Sequence, residues 1–210
     1  MPQRRSRTLS RHAGVFLTAA LIGKPGHKGG VRRYAAVRQD FITALKEDSR
    51  RFCTTMFDYY GLPSDWPELS KAKKRQPRDG VKLVEKALLE DVAKQLGFSF
   101  DAKRFLPYIQ LHEFEALLFS DPDRLASVLE NPSLSTKLQS AVDECGEPEA
   151  IDDHPDTTPS KRIIDIARHF QKTFHGAIAS TRIGLDRMRE KCPHFHTWVN
   201  MLEALGSVSP

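Results

Sequence analysis

Apolar residues occur in two patterns along this chain: short unbroken runs in the first half, and helically spaced positions between and after them. The runs over residues 14–22 (GVFLTAALI), 51–57 and 104–111 are rich in apolar, β-branched and aromatic residues, which predicts three buried strands. Between the first two, Val31, Tyr34, Ala35, Val37, Phe41, Ile42 and Leu45 recur at helical spacing and predict a helix over 31–48. Val81, Val84, Leu88, Val92 and Leu96 fall near one face and predict a second helix over 81–96, stopped by Gly97. The polar, basic stretch 68–79 reads as a mobile connection. After the third run the pattern is helical throughout. A turn back into helix over 112–119 is followed by Asp121-Pro122, a natural N-cap with proline at the first helical position. A helix over 131–145 and an acidic, proline-rich loop over 146–159 come next. The rest is a helix over 160–174 and two or three short helices broken at Gly176, Gly184 and Pro193.

The order β-α-β-α-β, then helix, implies a parallel sheet with right-handed crossovers. The expected fold class is α/β: a small parallel sheet flanked by helices, with a C-terminal helical region. The expected divisions are a basic N-terminus (1–12), an α/β core (13–120) and a helical region (121–206). Three strands make a thin sheet.

Composition narrows the class. A chain of 210 residues buries about 70% of its unfolded surface. Its 40% hydrophobic and 28% charged content suits a globular domain. No apolar run approaches the ~20 residues that cross a bilayer, so no membrane is expected. The three cysteines, Cys53, Cys145 and Cys192, lie far apart without CxxC spacing, which points to reduced thiols and a cytoplasmic protein. The net charge of +5 permits nucleic-acid binding without requiring it. No acidic residue precedes Asp40. The basic start reads as a solvated surface, a phosphate-facing surface or a transit-peptide-like leader.

The candidate chemistry lies where strands end, because open parallel sheets bind ligands at their carboxyl ends. One run delivers Asp58, and the other delivers His112, Glu113 and Glu115. Carboxylates so placed suit a hard divalent cation. Glu113 and Glu115 point the same way if the strand persists and diverge if a helix starts at Glu113. His112 is a candidate base or ligand, or a structural histidine. The 23–30 loop (GKPGHKGG), with Lys28, offers backbone N–H groups but lacks the P-loop pattern. Lys161 and Arg162 follow Ser160, an expected helix cap, and form a candidate anion site. In each case a satisfied strand end, a flexible loop or a capped surface helix is the plainer alternative. No GxSxG, HExxH or GxGxxG occurs.

Four stretches together (52–67, 105–119, 158–163 and 183–198) resemble those of a bacterial family catalogued as domain of unknown function 4276. The resemblance spans roughly residues 14–205, and LHEFEALLF carries most of it. It implies a Toprim-like fold and an Mg²⁺- or Mn²⁺-dependent nuclease or phosphodiesterase of bacterial defence type, working with an ATPase partner. On that resemblance Asp58, Glu113 and Glu115 would hold metal, with these residues and His112 in catalytic roles. Lys28, Lys161 and Arg162 would contact phosphates. The family's usual first strand, with a Val-Glu-Gly-x-Thr-Glu-like motif, has no counterpart here, which raises the expectation of a late start or a truncated, inactive chain. The alternative is a non-catalytic nucleic-acid- or protein-binding component, whose carboxylates would pair with Lys or Arg.

Overall fold

The computed structural model describes residues 15–20, 31–151 and 157–206. The chain forms two compact units. Of the described residues, unit 1 comprises those within 15–57, 61–109 and 200–206, and unit 2 those within 58–60 and 110–199. The architecture is the expected α/β one, short parallel pairing flanked by helices, followed by an all-helical C-terminal region.

Helix α1 (Tyr34–Glu47) buries Val37, Phe41 and Leu45, the residues whose spacing predicts it. It has no side-chain cap at its N-terminus. Instead the Tyr34 backbone N–H donates to Asp65 at 3.0 Å and its hydroxyl to Asp91 at 2.7 Å. Its last carbonyls are covered by Arg104, whose guanidinium donates to the carbonyls of Leu45, Asp48 and Arg51 at 2.7–3.0 Å. A cation on the last turn also suits the helix dipole.

The expected strand over 51–57 forms as two short pieces, β1 (Cys53–Thr54) and β2 (Phe57–Asp58). The run over 104–111 likewise forms β3 (Phe105–Leu106) and β4 (Ile109–Gln110). β1 pairs in parallel with β3, Cys53 opposite Phe105 and Thr54 opposite Leu106, and β2 pairs with β4. The break has a cause: Pro107 has no N–H to give to a ladder. Thr55 fills the gap, its buried hydroxyl both donating to the Tyr108 carbonyl and accepting from the Tyr108 N–H at 2.8 Å. Of the expected strand over 14–22, the described residues 15–20 contain a single bridged position, Leu17, and Phe16 is exposed. Residues 14, 21 and 22 of that run lie outside the described residues.

The stretch 68–79, expected as an irregular connection, is helical at both ends with a turn over 73–76. It forms α2 (Leu69–Ala72) and the first turn of α3 (Pro77–Leu96), with Pro77 at the first helical position, where its fixed φ costs nothing. α2 is anchored by buried Leu69 and Ala72, and α3 buries Val81, Val84, Leu88 and Val92. Gly97 ends α3 with φ +84°, a conformation glycine adopts freely.

Unit 2 is built on a 3₁₀ segment, Phe114–Ser120, of which Leu117, Leu118 and Phe119 are fully buried. Around it pack α4 (Pro122–Val128), α5 (Ser135–Cys145), α6 (Pro159–Ile166), α7 (His175–Ile183) and α8 (Leu185–Lys191). Asp121 caps α4 as expected, accepting from the Arg124 N–H at 3.0 Å. The helix expected over 160–174 ends at Ile166, and the remainder of that stretch is turns. The last helix, α9 (Pro193–Gly206), starts on a buried carboxylate: Glu149 accepts from the N–H groups of His194 and Phe195 at 2.8 and 2.9 Å. The Cys192-Pro193-His194-Phe195 motif is thus a helix start. Its cysteine is fully buried, and the thiol is pushed above its usual range, first by burial and then by the charges of Glu149 and Glu147. All three cysteines are free thiols.

Candidate functional site: a carboxylate–lysine cluster

The cluster lies within unit 2 and is assembled by three short segments. β2 ends at Asp58. His112 turns the chain with φ +61°, a left-handed conformation that costs a non-glycine residue of order 1–3 kcal/mol. That turn sends Glu113 into extended backbone just ahead of the 3₁₀ segment. Glu115 follows in its first turn. Asp58 accepts the Phe114 N–H at 2.9 Å, tying the strand end to the start of the segment.

Glu113 is engaged through both oxygens. Oε2 accepts the Ser160 backbone N–H at 3.0 Å, and Oε1 accepts from Lys172 Nζ at 3.1 Å. Ser160 is the second residue of α6, whose N-cap is Thr158, not Ser160 as expected. The anion at this helix start is Glu113 itself. Lys172 also stands 3.5 Å from Glu115 Oε2. So the helical backbone after Glu113 does not separate the two glutamates: both reach one ammonium, because their side chains are long enough to bend toward it.

Burial divides their protonation behaviour. Asp58 is pushed up to about 6, first by burial and then by the charge of Glu115, against the pull of the Phe114 N–H. Glu115 is raised by burial in spite of Lys172. Burial also pushes Glu113 up, but the Ser160 hydrogen bonds and Lys172 outweigh it and leave the carboxyl below its usual range. For Lys172, burial is overcome by the charges of Glu115 and Glu113, which hold its ammonium more firmly than usual.

The other described candidates make contacts of their own. His112 is buried, stacks on Tyr60 with ring centroids 5.5 Å apart, and lies 3.4 Å from the Tyr60 hydroxyl through Nδ1. Arg162 pairs with Glu144 at 2.9 Å and donates to the Thr157 carbonyl. Lys161 is exposed on α6. Lys28 and the 23–30 loop lie outside the described residues. Lys172 was not among the candidates: it sits in a stretch whose spacing reads as helix, and nothing in its neighbours marks it. Glu149 was hidden in the same way, inside a stretch that reads as an acidic loop.

These segments also carry the sequence signature. The family described as Domain of unknown function (DUF4276) matches residues 6–203. The chain belongs to the DUF4276 family. No curated protein matches it, and no solved structure does. In this DUF4276 protein the HEFEALLF stretch is the His112 turn, the two glutamates and the buried 3₁₀ segment, so one motif supplies both site and core. No described helix is long and apolar enough to cross a membrane.

The donor set has the right chemistry for Mg²⁺ or Mn²⁺, which take oxygen ligands. Its placement does not fit. Among the described residues no three His, Cys, Asp or Glu side chains converge to hold an ion. Both Glu113 oxygens are occupied, and the charge at the centre is the Lys172 ammonium.

Proposed function

We propose that the Asp58–Glu113–Glu115–Lys172 cluster is the working centre of the protein, and that its reaction class is phosphodiester hydrolysis. One observation carries this reading: neighbouring carboxylates in a single cluster have their protonation pushed in opposite directions, Glu113 down and Asp58 and Glu115 up. Buried carboxyls whose proton affinity is raised toward the working pH are suited to trade protons, while a glutamate held ionised is suited to fix a neighbouring ammonium. Asp58, ionised above about pH 6, takes a proton from water as the water oxygen bonds to phosphorus. The phosphorus–oxygen bond to the leaving group breaks, and Glu115, protonated more readily than an ordinary glutamate, returns a proton to that oxygen. Lys172 balances charge on the phosphoryl oxygens, and Glu113 holds Lys172 in place. No step is routed through a metal.

The test is hydrolysis of bis(p-nitrophenyl) phosphate and of single- and double-stranded DNA and RNA by the full chain, with and without added Mn²⁺. Asp58→Asn and Glu115→Gln run beside it. The expected result is a rate that rises as Asp58 ionises through about pH 6, declines again at higher pH as Glu115 loses its proton, and falls at least a hundredfold in Asp58→Asn. Equal rates in wild type and both variants exclude the reading.

A second reading is a non-catalytic nucleic-acid-binding component, and two observations support it. The carboxylates are paired with a lysine, as a non-catalytic cluster would be. In unit 1, Lys73, Lys74 and Arg75 are exposed between α2 and α3, and no ion pair joins them to an acid among the described residues. Charge reversal of all three should weaken DNA binding and lower its salt slope by about 2–3, since each lost phosphate contact removes about 0.9. An unchanged salt slope would exclude that surface.

A further inference from the structure

The carboxylates of Asp58, Glu113 and Glu115 interact with one cation, and that cation is a side chain. We propose that Lys172 is the resident counterion of the cluster, and that a divalent metal ion and the Lys172 ammonium compete for the same place.

Three features carry the inference. Lys172 Nζ lies 3.1 Å from Glu113 and 3.5 Å from Glu115, within direct contact of two carboxylates that are 16% and 6% exposed. The lysine itself is 46% exposed, so its stem has open space to withdraw into. It stands in a turn between α6 and α7, where moving the side chain breaks no helical hydrogen bond. The cluster holds up to three negative charges against one positive charge. A lysine ammonium is a compact point charge on a flexible stem, and Mg²⁺ and Mn²⁺ prefer the same carboxylate oxygens. While the ammonium is in place, an arriving cation meets a like charge at contact distance and a Glu113 with no free oxygen. When it withdraws, Glu113 Oε1 and Glu115 Oε2 are released together.

The inference rests on the centre proposed above. Its test reads ion binding and not turnover, so a chain that hydrolyses nothing still answers it. Mn²⁺ alone and Mg²⁺ alone are titrated calorimetrically into the full chain as wild type, Lys172→Met and Lys172→Arg, each first shown to melt cooperatively. Lys172→Met should bind Mn²⁺ at least tenfold more tightly than wild type, and adding Asp58→Asn and Glu113→Gln to it should abolish the gain. Lys172→Arg, which keeps the charge, should stay near wild type. Equal or weaker binding by Lys172→Met, or no binding by any variant, overturns the inference. So does a gain in Lys172→Arg equal to that in Lys172→Met, because charge would then not be the cause. If Lys172→Met fails to fold, Lys172→Gln makes the same comparison with a polar, uncharged side chain.

Discussion

Replacing Asp58 with asparagine should make the protein more stable at neutral pH. The carboxyl has an ordinary value of 3.8 and is pushed up to about 6 in the folded chain, so the folded state holds its proton where the unfolded state has released it. The stability this group contributes is therefore fully present below about pH 4 and is lost as pH rises through about 6. At 1.36 kcal/mol per tenfold change in proton affinity, the gap amounts to about 3 kcal/mol at pH 8. Asparagine is neutral at every pH, keeps an oxygen for the Phe114 N–H, and removes the repulsion with Glu115. The stability of Asp58→Asn minus that of wild type should be near zero at pH 4, grow between pH 4 and 7, and level off at about 3 kcal/mol or somewhat less. Urea denaturation at pH 4, 5, 6, 7 and 8 measures it, with constant m-values confirming that only stability has changed. A difference that is flat with pH, or that favours wild type above pH 6, would refute the argument that burial and like charge dominate at this carboxyl. Gain of stability with loss of function is the expected signature of a strained working site.

Glu113→Gln should behave in the opposite sense. Its carboxyl is held below the usual range, so its contribution is present above the unfolded value and lost as pH falls through the folded one; the variant should lose about 2 kcal/mol at pH 7 and progressively less as pH falls through the folded value, by the same kind of denaturation series. Thr55→Val removes two buried hydrogen bonds to Tyr108 and should cost about 2 kcal/mol, read as a lower urea midpoint. Arg104→Lys cannot reach three carbonyls at once and should cost about 2 kcal/mol, with amide exchange rising at the end of α1. Glu149→Ala leaves the His194 and Phe195 N–H groups without that carboxylate and should cost about 3 kcal/mol, seen as a lower melting temperature.

Local pattern alone determined much of this protein. The spacing of Val37, Phe41 and Leu45, and of Val81 through Val92, already specifies α1 and the body of α3, because a helix with one buried face imposes that period on its own sequence. Asp121-Pro122 and Gly97 mark helix ends for equally local reasons. The three carboxylates of the cluster were legible too, since an apolar run that stops at acidic residues places them at a strand end. What lay beyond sequence depended on partners distant along the chain. The strand breaks are visible as Pro107, but their repair by Thr55 requires Tyr108, 53 residues away. Glu149 reads as part of an acidic loop until it meets the start of α9, 45 residues on. The character of the site itself turns on Lys172, 59 residues from Glu113. A lysine carries no sequence mark of whether it is solvated or buried against acids, because its charge is the same in both settings and only the fold selects its neighbours. Composition supplied the carboxylates; tertiary structure decided which cation they face.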